Sequence, residues 1–239
     1  RYADVENNPL RYTDPSGHCK AKNGKVFANV PPLGDSGPCP EEIRIAGWDD
    51  SYQQAQDTNT CATTSAAVGM SIVLQQRVDG KALTEDFRKM GLKYFNWGVP
   101  PEWQAKGINR RHMGVRATFT QEINRDQLIR NVISGDPTLV TVSWGVGELS
   151  SYGHTVVVIG YNFTKDELEL FDPGYGVITE EEWVKKAGVT FDQAWLGQPL
   201  PGIPSGSAVT LSAVAQGSRP IIGYDGTYGR MHSLTNCTR

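Results

Sequence analysis

Cys61, His154 and Asp172 have the residue types and local settings of a thiol nucleophile site. Cys61 stands where the polar run Gln56-Asp57-Thr58-Asn59-Thr60 gives way to an apolar, helix-like stretch. A helix start stabilises a thiolate through unsatisfied N–H groups and the positive end of the helix dipole. At this junction the thiol is expected to be exposed while the rest of the helix is buried. His154 opens the apolar run Thr155-Val156-Val157-Val158-Ile159-Gly160, and Asp172 closes Glu167-Leu168-Glu169-Leu170-Phe171. A thiol nucleophile needs a proton acceptor, and the acceptor needs an orienting group that fixes its tautomer. Each residue alone has a plainer role: a small buried hydrophobe, a core histidine, a turn-forming aspartate. Together they supply one of each part that attack on a carbonyl carbon requires.

The elements that must bring these three together follow from periodicity and punctuation. Cys61 to Val78 reads as one apolar helix stopped by Asp79-Gly80, followed by helices over Leu83 to Phe95 and Pro101 to His112. Val115 to Phe119 alternates as a strand. Asn124 is placed to cap a helix over Arg125 to Ser134, with Gly135 as its stop. Thr138 to Trp144 and Thr155 to Tyr161 are β-branched strands. A hairpin returns through Leu168 to Phe171, so Asp172 is expected beside His154. A short helix over Glu180 to Ala187 and a strand over Ala208 to Val214 complete the pattern, with Ile43-Arg44-Ile45 as a further short strand. Helices first and a mostly antiparallel sheet afterwards define an α+β fold.

Residues 48–215 carry this domain-like pattern. Residues 19–47, with Pro31-Pro32, Gly34, Gly37, Pro38 and Pro40, read as a linker or wrapping segment, and residues 216–239 as an irregular tail. A net charge of −3 gives no basic excess for nucleic acid, and the Arg110-Arg111-His112-Arg116 cluster reads as a solvated helix end. No apolar run is long enough to span a membrane. Four cysteines, at 19, 39, 61 and 237, show no paired metal-binding spacing, so neither a metal nor another cofactor is expected. Cys19 and Cys39 are candidates for a bridge in an exported protein, although spacing alone does not set connectivity. The chain begins at Arg1 with no signal-peptide pattern and reads as a piece of something longer.

Two resemblances add to this. The stretch Asn8-Pro9-Leu10-Arg11-Tyr12-Thr13-Asp14-Pro15-Ser16-Gly17 resembles the end of the Rhs/YD-repeat core, a bacterial shell whose Asn-Pro-Leu…Asp-Pro-x-Gly border precedes a variable C-terminal toxin. It assigns residues 1–18 to the core's end. It implies a secreted toxin delivered into a target cell, with the core shell and a cognate immunity protein as partners. Asp14 matches a position that takes part in core self-cleavage in some relatives. The second resemblance covers residues 48–215: the glutamine-rich approach to Thr60-Cys61, Ser65 and Met70 in the helix, His154 to Tyr161, and Asp172-Pro173-Gly174 are similar to the papain-like cysteine peptidases, and within them to the bacteriocin-leader peptidases.

That family implies N-terminal helices packed on a mostly antiparallel sheet and a protein or peptide substrate. It also implies a glutamine ahead of the cysteine that helps bind the oxyanion. Gln56 lies five residues before Cys61 and Gln54 seven; Gln56 is preferred. Ala62-Thr63 stands where the family commonly has Gly-Pro, which leaves deamidase, transglutaminase or acyltransferase chemistry as an alternative to peptide cleavage. A catalytically inactive binding module is the third alternative.

Overall fold

A computed structural model describes residues 18–22, 24–28, 38–57, 59–91, 99–111, 113–144, 152–197 and 203–214. The Asn8–Gly17 border, Asp14, Pro31-Pro32, Phe95, His112, Cys237 and the tail from residue 216 lie outside them. A hairpin of β1 (His18–Lys20) and β2 (Val26–Ala28) comes first, then β3 (Glu42–Arg44) and a 3-10 turn over Asp50–Tyr52. Helices α1 (Cys61–Leu74), α2 (Gly80–Lys89) and α3 (Pro101–Arg111) follow, then β4 (Val115–Thr120) and α4 (Arg125–Ser134). The chain continues through β5 (Thr138–Trp144), β6 (Tyr152–Asn162), β7 (Glu167–Asp172), β8 (Gly176–Thr179), α5 (Glu180–Ala187), a π-helical turn over Gln193–Gly197 and β9 (Ala208–Ala213).

The sheet runs β4-β9-β5-β6-β7-β8, antiparallel throughout, and β3 pairs with the far end of β6 beyond β5. Helix α1 lies across it, against β6, β9 and β5. Every α1 residue from Cys61 to Ile72 is buried, as its apolar character on all sides requires. Gly69 permits the close approach: a methyl there would come 2.8 Å from Leu211 Cδ1 and 3.2 Å from Leu139 Cδ1.

The first helix ends four residues earlier than its apolar pattern suggests. Gln75 adopts a left-handed conformation, and the Ser71 hydroxyl accepts the Val78 N–H at 2.9 Å. The chain turns there, which buries Val78 and frees Asp79 for another task. Asp79-Gly80 is not a stop. Asp79 caps α2 by accepting the Ala82 N–H at 2.8 Å, and Gly80 is the first helical residue. The Asn124 and Gly135 caps of α4 are as expected from the sequence, and α5 carries a full capping box between Thr179 and Glu182. The short strand β8 has no independent sequence signal; its place on β7 follows from the Asp172–Tyr175 turn.

Between Lys20 and Pro38 an isolated bridge closes the N-terminal segment, and Cys19 and Cys39 form a disulfide with a Cα–Cα distance of 4.7 Å. Phe27 of this segment packs on Tyr161 and Phe163. Among the described residues no helix is long and apolar enough to cross a membrane.

Candidate active site

The first turn of α1 meets the start of β6 and the end of β7. His154 is the third residue of β6, opposite Val142 of β5, because the strand starts at Tyr152 rather than at the expected Thr155. Antiparallel return of β7 brings Asp172 alongside, and the His154 Nε2 lies 3.0 Å from Asp172 Oδ2. That leaves Nδ1 as the ring nitrogen for Cys61, whose sulfur is hydrogen-bonded to the same imidazole. The three residues chosen from sequence therefore form one continuous relay.

Asp172 is fully buried, and both of its oxygens are held. Oδ2 faces the imidazole, while Oδ1 accepts the Gly174 N–H at 2.7 Å. Its turn-forming role and its orienting role are thus met by opposite oxygens of one carboxylate. A methyl on Gly174 would sit 3.2 Å from Asp172 Oδ1 and 3.6 Å from Gln56 Nε2, so glycine keeps this junction open.

Cys61 corrects one expectation. It is only 6% exposed rather than open at the loop-to-helix junction. The reason is tertiary: the helix start is pressed between the pre-helix loop and β6, so dipole and burial act together. Burial alone would raise the thiol pKa. The hydrogen bond and charge of His154, with the backbone N–H groups of Thr155 and Ala62, outweigh it and hold the thiol below its ordinary value. Burial likewise works to lower His154, but hydrogen bonds to Asp172 and Cys61 and their negative charge push it up to about 10. The arrangement favours a thiolate–imidazolium pair.

The two glutamines separate cleanly. Gln54 donates from Nε2 to the Val78 carbonyl at 2.7 Å and accepts the Gly80 N–H on Oε1 at 2.8 Å. Its amide is spent on joining the approach loop to the start of α2. Gln56 sits on the other side, its N–H bonded to the Pro173 carbonyl at 3.0 Å, its side chain beside Gly174 and its buried Oε1 without a hydrogen-bond partner among the described residues. No sequence signal marks the role of Gln54, because its partners lie 24 and 26 residues away.

Thr63, one of the two departures after the cysteine, points away from the site. It is fully buried, with its hydroxyl 2.6 Å from that of Thr84 in α2. Ser65, one helical turn past Cys61, donates to the Thr155 carbonyl at 2.7 Å. Among the described residues no group of three or more His, Cys, Asp or Glu side chains could hold a metal ion.

A buried helix-start cysteine bonded to a strand histidine and its carboxylate, on an α+β scaffold with a large antiparallel sheet, defines the papain-like class of cysteine peptidases. Residues 50–198 match the profile of the Peptidase_C39 like family, and the chain belongs to that family. Among solved structures, a C39-like peptidase from Bacillus anthracis is similar over 72% of this chain and 98% of its own, at 15% identity and a TM-score of 0.50. The peptidase domain of Streptococcus ComA, a bifunctional ABC transporter of a quorum-sensing pathway, is 15% identical over 67% of this chain and 96% of its own, with a TM-score of 0.44. A double-glycine-motif protease from an AMS/PCAT transporter, solved with its leader peptide, is 12% identical over 73% and 99%, also at 0.44. No curated protein matches the chain.

Proposed function

We propose that this cysteine peptidase works through Cys61, His154 and Asp172, with Gln56 as an oxyanion donor, and that it is the toxic C-terminal part of an Rhs protein. The observation that carries the chemistry is the unbroken Cys61–His154–Asp172 hydrogen-bonded relay. The Cys61 sulfur attacks the scissile carbonyl carbon. His154, in its protonated form, gives its proton to the leaving amine as the C–N bond breaks and a thioester remains. A water then attacks the thioester, His154 takes its proton, the C–S bond breaks to release the acid product, and the Cys61 thiolate and His154 imidazolium are restored. Asp172 holds the imidazole in one orientation throughout.

The Cys61 N–H, at the first helical position, needs no intrahelical acceptor. With the Gln56 amide it would hold the developing oxyanion, a contribution of about 3 kcal/mol per donor. The commitment of Gln54 to Val78 and Gly80 supports Gln56 in that role. Burial of Thr63 against α2 favours peptide cleavage over deamidation or acyl transfer, since that departure does not reach the cleft.

The toxin assignment rests on the Asn8–Gly17 border motif. The Cys19–Cys39 disulfide agrees with an exported protein. A cognate immunity protein and the Rhs core shell are the partners this assignment brings. The full chain, wild type beside Cys61→Ala, is expressed in a bacterial host and target proteins are mapped by mass spectrometry. New protein N-termini with wild type alone are expected. One-dalton shifts or crosslinks in their place would transfer the site to glutamine chemistry, and undiminished toxicity of Cys61→Ala would overturn the enzymatic reading.

A further inference from the structure

Thr155 presents its backbone to a helix. Its N–H donates to the Cys61 sulfur, and its carbonyl accepts from the Ser65 hydroxyl at 2.7 Å. On this side of β6 the neighbouring strand β7 begins pairing only at Val157. The first turn of α1, through residues i and i+4 on one helix face, takes the place a strand would hold. Ser65 is fully buried and Thr155 nearly so. The Thr155 side chain is held separately, its hydroxyl 3.4 Å from Gln104 Nε2 and 3.4 Å from the Thr141 hydroxyl.

We propose that Ser65 is a positioning residue for the nucleophile: by holding the Thr155 carbonyl it keeps the Thr155 N–H, and the adjoining His154 ring, on the Cys61 sulfur. This rests on the assignment of Cys61 as nucleophile. Without the Ser65 hydroxyl, the Thr155 carbonyl loses its buried donor and β6 is free to draw away from α1. The thiolate then loses an N–H donor, and its imidazolium partner moves off. The titratable side chain facing the sulfur is His154 from β6, with Asp172 from β7 behind it; α1 supplies the Ala62 N–H. A shift of strand against helix weakens the first of these contacts directly.

The same helix carries its own control. Ser71 is equally buried, donates to the Ala67 carbonyl at 2.7 Å and accepts the Val78 N–H, but lies two to three turns from Cys61. Iodoacetamide alkylation of Cys61, followed from pH 5 to 9 by peptide mass mapping, separates positioning from packing. Ser65→Ala is expected to slow alkylation about fivefold at pH 6 and move its acid limb upward, the change that loss of one net hydrogen bond produces. Ser71→Ala is expected to lower the melting temperature and keep the wild-type pH profile. Ser65→Thr, which retains the hydroxyl, is the second arm and is expected to alkylate as wild type does.

A folded Ser65→Ala with the wild-type profile, or a folded Ser65→Thr with the slowed one, overturns the role of Ser65 while leaving Cys61 as nucleophile. A wild-type Cys61 that is inert at neutral pH removes the site assignment, and the Ser65 proposal with it.

Discussion

The β6–β7 hairpin carries a polar cluster at each end, partly exposed at the far end and buried at the near one, and the two are built on opposite plans. At the far end, Arg125 is hydrogen-bonded to Glu180 at 2.8 and 2.5 Å and to the Asp166 carbonyl at 2.7 Å, while Tyr161 donates to Asp166. Glu180 also accepts the Leu168 N–H at 2.7 Å. These permanent charges are matched, and burial that would lower the Arg125 pKa is overridden by Glu180, Asp192 and Asp166. The cluster ties α4, α5 and the hairpin turn together. At the near end, Cys61, His154 and Asp172 are joined through the imidazole. Burial there works both ways, because the same desolvation that opposes charge strengthens the hydrogen bonds that favour it.

The sharpest test of this contrast is Asp172→Asn. The amide keeps the shape of the carboxylate but removes the negative charge that holds the His154 imidazolium, and a fall of about 10²-fold in kcat is expected, the lower end of what a positioned acid–base group contributes. Peptide hydrolysis by the purified full chain measures it, with circular dichroism checking that the fold is kept. A change under tenfold would mean that Asp172 serves its turn and little else.

Arg125→Ala should do the reverse. It leaves Glu180 buried without its cation and is expected to cost about 3 kcal/mol of stability in urea unfolding. The pH profile of Cys61 alkylation in the folded variant should stay that of wild type. A displaced profile would show that the two clusters are coupled along the hairpin.

The smallest effect expected is in pH dependence. Cys61 is held below the ordinary thiol range and His154 is raised to about 10. As pH rises through the lowered thiol value the thiolate forms; as it rises further through about 10 the imidazolium is lost. Activity should therefore climb before an ordinary cysteine titrates, hold across neutrality, and fall on the alkaline side. The two limbs belong to the coupled pair rather than to either residue. An acid limb at the ordinary thiol value of about 8.5 would remove the thiolate–imidazolium pair from the account.

Much of this site is readable along the chain. Cys61 and Asp172 stand at element boundaries that polarity makes visible, His154 is marked by the β-branched run after it although β6 starts two residues earlier, and the hairpin between His154 and Asp172 is local. The Asn124 and Gly135 caps are equally local, since each satisfies backbone groups a few residues away. Asp79 shows where such reasoning slips. An Asp-Gly pair serves as well for starting a helix as for ending one, and only the turn at Gln75 and the Ser71–Val78 contact select the start.

Residue type and local order account for a thiol, an imidazole and a carboxylate on neighbouring elements of an α+β chain. They do not account for the burial of Cys61, the separation of Gln54 from Gln56, or the grip of Ser65 on Thr155. Those depend on contacts across 24 to 90 positions, where helix meets sheet. Local propensity acts over a few residues, whereas such contacts exist only once packing has brought distant backbone groups within hydrogen-bonding reach.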